Sequence, residues 1–89
     1  MKKKIETKSG FKCTVDDAVL DDMRVVEMIA SLDANPLILP TLINRVIGEE
    51  NKEKLYKHLE TKEGRVPVEA MEVEMAEIVE ALGPDDLKK

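Results

Sequence analysis

The chain has 89 residues, with 14 basic and 19 acidic side chains and a formal net charge of −5. This length supports one domain, and 43% hydrophobic beside 37% charged residues predicts a soluble, helix-rich fold rather than a disordered chain. We expect no nucleic-acid partner, because such binding needs cations that displace counterions, and no membrane span, because no run of 18 apolar residues occurs.

The first fifteen residues have the pattern of a β-hairpin. Apolar Phe11, Cys13 and Val15 alternate with polar residues, and Lys8-Ser9-Gly10 provides a turn that contains glycine. We therefore predict two strands within residues 2–15. An isolated hairpin is only marginally stable in water, so we expect helices to cover its apolar side.

A first helical segment follows the hairpin. Asp16 and Asp17 are good helix-capping residues, and apolar side chains then recur at helical spacing as far as about Leu32. A break near Asp21 would divide this segment into a first turn and a longer helix. The segment ends before Pro36, because the residue before a proline is disfavoured in the α conformation.

The next stretch, residues 36–48, is the most apolar of the chain. Pro40 inside a helix would cost about 3 kcal/mol, so we predict that 36–39 form a turn and that a second helix begins at Pro40. Gly48 would stand just past its end. A short helix that is apolar nearly all round lies either in the core or in an interface.

Two further helices are predicted, over Glu49 to about Thr61 and over Val68 to Leu82. Residues 66–86 hold seven acidic side chains and no Lys or Arg. These acids form either a solvated helix face or a surface for a basic protein partner. The tail, residues 85–89, is expected to fray.

These elements together predict a mainly α fold with a small N-terminal β-hairpin (α+β), in which about four helices pack as a compact bundle. The predicted boundaries are 1–84 for a single globular domain, with the hairpin at 2–15 and the helical part at 16–82. Association with a second copy of the chain, as a homo-oligomer, is left open.

Residues capable of catalysis or metal binding are few. Cys13 alternates onto the apolar side of the hairpin, which favours an inert buried thiol, and His58 lies on a polar helix face. One cysteine and one histidine do not make a zinc set, and Ser31 lacks the preceding acid of an acyl carrier site. We expect a non-enzymatic protein without cofactor or metal, in a reducing cytoplasm.

Six short segments of the chain form a pattern together. They are Ser9-Gly10-Phe11-Lys12-Cys13, Val25-Val26-Glu27-Met28-Ile29-Ala30, Pro36-Leu37 to Leu39-Pro40, Val46-Ile47-Gly48-Glu49-Glu50, Leu55-Tyr56-Lys57-His58-Leu59 and Gly64-Arg65-Val66-Pro67-Val68. In this pattern, spread over residues 5–82, the chain resembles the tail assembly chaperones of long-tailed phages and prophages of Gram-positive bacteria.

The resemblance implies a non-enzymatic role in viral tail assembly. Such chaperones bind the long, aggregation-prone tape-measure protein until tail-tube protein subunits polymerise around it. They act in the host bacterial cytoplasm and are absent from the mature virion. Many are made in a short and a frameshifted, longer form, and this chain is similar to the short one. The alternatives are a structural head–tail adaptor and an acidic regulatory protein that occupies a DNA-binding protein.

Two candidate partner-binding surfaces follow from the residues. The second predicted helix has more apolar side chains than one small core face needs, and the last helix carries an acidic face. The candidate residues are Leu39, Ile43, Val46 and Ile47 on the former and Glu69, Glu72, Glu77 and Glu80 on the latter.

Overall fold

The computed structural model describes residues 2–83. Its first element is an antiparallel two-stranded sheet. Strand β1 (Lys2–Glu6) pairs with β2 (Lys12–Asp16) in a register that sets Ile5 opposite Cys13. Gly10 closes the turn with a φ of 93°, in the left-handed region that glycine enters without steric cost. The predicted hairpin is confirmed.

Three α-helices and two short 3-10 turns follow. The 3-10 turn Asp17–Leu20 is separated from the first helix at Asp21, and this confirms the predicted break. The helices are α1 (Met23–Ser31), α2 (Leu39–Leu59) and α3 (Val68–Leu82), and the second 3-10 turn is Pro36–Ile38.

Residues 2–83 form three helices instead of about four, because the two helices predicted on either side of Gly48 are joined there across a kink. Gly48 has a φ of 84° and a ψ of 161°, which lies outside the helical region. The helix resumes directly after it, and the Asn51 side-chain amide donates to the Ile47 carbonyl oxygen at 2.9 Å across the kink. Gly48 therefore divides α2 into two helical halves that follow each other without a loop.

The core lies between the inner side of the hairpin and all three helices. Its largest fully buried side chains come from α2, with Leu42, Ile43 and Leu55, and from α3, with Ile78. Helices do cover the apolar side of the sheet, as expected. The buried apolar residues of the hairpin are Ile5, Phe11, Cys13 and Val15.

Within residues 2–83, no helix has the length and apolar character needed to cross a membrane. The expected frayed tail, residues 85–89, lies outside the described part of the chain.

Candidate partner-binding grooves

An apolar groove of about 440 Å³ runs between α1 and α3. We call it the α1–α3 groove. Leu42 and Met75 are buried and form its floor, Gly83 is buried at its end, and the other lining residues are half-buried or exposed. Its apolar lining residues are Ile29, Leu32, Leu42, Met75, Ala76 and Val79.

Two of the residues that line the groove on its α3 side are small. Ala76 and Gly83 line it at a spacing of seven residues, on the same face of the helix and its end. Neither of these two residues has a side chain long enough to contact the opposite wall. That wall is formed by Ile29 of α1 and by Leu32, which directly follows α1. Apolar surface that packed helices would cover is left accessible here.

Two glutamates border the groove. Glu72 and Glu80 are exposed, and among residues 2–83 no lysine or arginine lines the groove. They stand eight residues apart on α3, which is about 12 Å along a helix axis. An apolar segment that carries cations at a similar spacing would meet attraction at both positions.

The four apolar candidates of α2 are buried instead of exposed. Their side chains are only 1–6% exposed, so the expectation of an exposed apolar patch at these positions is wrong. Helix α2 packs against α1, β2 and α3, and these four side chains belong to the core between them. Buried in this way are Leu39, Ile43, Val46 and Ile47.

The glutamates of α3 lie in different environments. Glu72 and Glu80 border the α1–α3 groove, and Glu69 is exposed outside it. Glu77 is half-buried and its Oε1 accepts from the Lys8 backbone N–H at 2.8 Å. Glu74, which sequence reasoning did not single out, is only 3% exposed.

Glu74 belongs to a group of polar contacts that we call the hairpin junction. The Thr7 hydroxyl donates to Glu74 Oε1 at 2.7 Å and lies 3.1 Å from the Ser9 hydroxyl. These contacts hold the hairpin turn against α3. The junction residues are Thr7, Lys8, Ser9, His58, Glu74 and Glu77.

His58 holds the same turn from α2. Its Nε2 lies 3.1 Å from both the hydroxyl and the carbonyl oxygen of Ser9, and its ring is tilted against Phe11 at a centroid distance of 5.7 Å. The side chain is exposed, as predicted for a surface histidine. Its contacts join the hairpin turn to the second half of α2.

Cys13 is buried on the inner side of the hairpin, as predicted. Burial raises the pKa of its thiol above the ordinary value, because an apolar environment disfavours the charged thiolate. A cysteine in this state is a weak nucleophile.

A second apolar groove, of about 380 Å³, lies beside the N-terminal end of α3, where Val68 and Met71 line it. We call it the Leu37 groove. Two of the buried α2 candidates, Leu39 and Ile43, form part of its floor, whereas Val46 and Ile47 line neither groove. Its other lining residues include Leu37, Pro40, Tyr56, Val66 and Val68.

No family model, curated protein or solved structure matches the chain. The geometry of the grooves and the resemblance of the sequence motifs are the grounds on which a function can be inferred.

Proposed function

We propose that the protein is a non-enzymatic tail assembly chaperone of a long-tailed phage or prophage, which binds the tape-measure protein and assists assembly of the tail tube. The sequence motifs over residues 5–82 suggest the family. The structural observation that supports the proposal is the α1–α3 groove, an open apolar channel bordered by Glu72 and Glu80. The chaperone would act in the host cytoplasm and leave before the virion is complete.

The occupant that this groove suits is an amphipathic helix of the tape-measure protein. A helix that lies in an apolar groove inserts side chains spaced at i, i+3 or i+4, and i+7. Each large apolar side chain that becomes fully buried contributes about 1.5–3 kcal/mol. A long helical protein exposes many such faces before it is enclosed, and covering them would prevent aggregation.

The flexible floor of the groove suits a partner of varied sequence. Met75 is buried below the opening, and methionine fills irregular gaps because its side chain is unbranched and polarizable. Different apolar residues of the partner could therefore fit at the same position.

The bordering glutamates favour a partner with lysine or arginine beside its apolar face. Exposed ion pairs contribute only about 0–1 kcal/mol each, so Glu72 and Glu80 would select and orient the helix more than they would hold it. Their negative charge would also keep the complex soluble.

The test is co-expression with the tape-measure protein of the same genome, followed by measurement of complex formation and of the soluble fraction of the partner. Ala76→Arg should abolish capture, because Ala76 is exposed in the groove wall and a long charged side chain would fill the opening. Glu72→Lys should weaken capture several-fold. Glu53→Lys is the charge-matched control, since Glu53 is an exposed glutamate of α2 that does not line the groove.

Unchanged capture by Ala76→Arg in a folded protein would refute binding at this groove. Mass spectrometry of purified virions tests the assembly role separately. A chaperone should be missing, whereas a head–tail adaptor would be present. Recovery of a DNA-binding protein instead of tail proteins would identify an acidic regulator.

A further inference from the structure

The Leu37 groove presents exposed apolar walls that the fold leaves uncovered. Leu37 is 87% exposed and Val68 is 64% exposed, and both line this groove. Leu37 is the most exposed large apolar side chain among residues 2–83. Apolar walls around an open groove are typical of a binding surface.

The border of the Leu37 groove is basic. The Lys52 ammonium nitrogen lies 5.9 Å from the centroid of the Tyr56 ring, which lines the groove. A neighbouring hollow shares Pro40 with it and is lined by Arg45 and Lys52. Within the described chain, no acidic side chain lines either depression, and neither cation forms an ion pair. The groove therefore suits an apolar segment that has acids beside it.

The chain itself carries such a segment on α3, and part of it, Ala76 and Glu80, also lines the α1–α3 groove. Val73 is 53% exposed and has exposed Ala76 beside it, with an exposed glutamate at each end. The spacing of i, i+4, i+7 and i+11 sets these residues on one face of the helix. We call this set, Glu69, Val73, Ala76 and Glu80, the α3 stripe.

We propose that two copies of the chain associate by docking the α3 stripe of one into the Leu37 groove of the other. Val73 enters the apolar groove, and the glutamates of the stripe approach Arg45 and Lys52. The two surfaces differ, so the contact is heterologous. In a pair, one copy keeps its groove free and the other keeps its stripe free. Further copies can therefore add to both ends, and association continues beyond a dimer. This inference goes beyond the proposed function and needs no tape-measure protein.

Sedimentation of the full chain alone, from micromolar to millimolar concentration, tests the proposal. The mean mass should rise with concentration, and raising salt from about 0.05 to 0.5 M should weaken association several-fold, because the charge pairs are screened. Leu37→Glu removes the apolar wall and Val73→Glu removes the apolar centre of the stripe. Each variant alone should stay monomeric, with circular dichroism as the check on folding.

An equimolar mixture of the two variants gives the decisive result. Leu37→Glu retains an intact stripe and Val73→Glu retains an intact groove, so the mixture should form a 1:1 dimer and nothing larger. Met23→Glu is the control, since Met23 is an exposed apolar residue of α1 that lines neither groove and its replacement should leave self-association unchanged. A monomeric wild type, or a mixture that stays monomeric, would overturn the proposal. Leu37→Glu separates it from the proposed function, because Leu37 does not line the α1–α3 groove and its replacement should abolish self-association while leaving tape-measure capture unchanged.

Discussion

The hairpin junction and the α1–α3 groove are both built on α3, yet they differ in how completely they are closed. At the junction, Thr7 and Lys8 of the turn bond to Glu74 and Glu77 of the helix, and His58 adds contacts from α2. In the groove, apolar side chains line an opening that has no occupant from the described chain. One helix thus contributes one face to a closed polar contact and another to an open groove.

The kink of α2 lies between these two regions. Residues before Gly48 supply the groove floor through Leu42, whereas the half after it carries His58 to the hairpin turn. The bend therefore lets one helix serve both regions. Changes on the two sides of this division should have different consequences.

The largest expected difference is in the loss of unfolding free energy when two neighbouring residues of α3 are replaced by alanine. Ile78 is fully buried in the core, so Ile78→Ala should lower the free energy of unfolding by about 2–5 kcal/mol. Val79 is half-buried in the groove wall, and Val79→Ala should cost less than half as much while it weakens capture of the partner. Urea unfolding measures both, and equal losses would show that the groove is part of the core.

The kink offers a second test. Gly48→Ala should cost about 1–3 kcal/mol, because a φ of 84° with a ψ of 161° is open essentially to glycine alone. The loss would be conformational, since an added Cβ meets no atom within 4 Å. Glu49→Ala, at the next and exposed position, should change stability little, and an equally small effect at Gly48 would contradict the strained kink.

At the hairpin junction, Thr7→Val keeps the shape of the side chain but removes the donor to Glu74. A buried acceptor without its partner costs about 1–3 kcal/mol, so thermal unfolding should occur at a lower temperature. Adding Glu74→Met should recover part of the loss, because the two residues act as a pair. Strictly additive losses would mean that the hydroxyl and the carboxylate are not coupled.

A smaller effect is expected in the rate at which cysteine side chains are alkylated. Burial raises the pKa of Cys13, so a smaller thiolate fraction forms near neutral pH, and alkylation should be at least about tenfold slower in the folded protein than in urea. The rate should rise as the pH approaches the raised pKa. A cysteine introduced by Ala76→Cys on a Cys13→Ser background should react fast, because the groove is open, and equal rates at the two positions would contradict the contrast between the regions.

Local patterns predicted the elements well. The alternation around Cys13 predicted the hairpin, and the spacing of apolar residues predicted α3 with the bounds that it has. The pattern also predicted the break at Gly48. It did not predict that the next helical segment would follow directly, because this depends on the packing of that segment.

The binding surfaces were harder to predict, since exposure depends on how elements are placed against each other. The surplus of apolar residues in α2 suggested a surface, yet that helix is covered on several sides. The α1–α3 groove arises from the separation of two helices that are distant in sequence. The one local signal was the small residue Ala76 among larger apolar neighbours.

The most direct test of the groove as a recognition site is a nuclear magnetic resonance titration with a designed amphipathic helix that carries lysines beside its apolar face. The amides of Ile29, Leu32, Ala76 and Val79 should shift, while those of Thr7 and Ser9 stay in place, and the same helix with glutamates in place of the lysines should bind much more weakly. Shifts concentrated at the hairpin junction, or equal binding of the two helices, would contradict an acid-bordered groove that receives a partner helix.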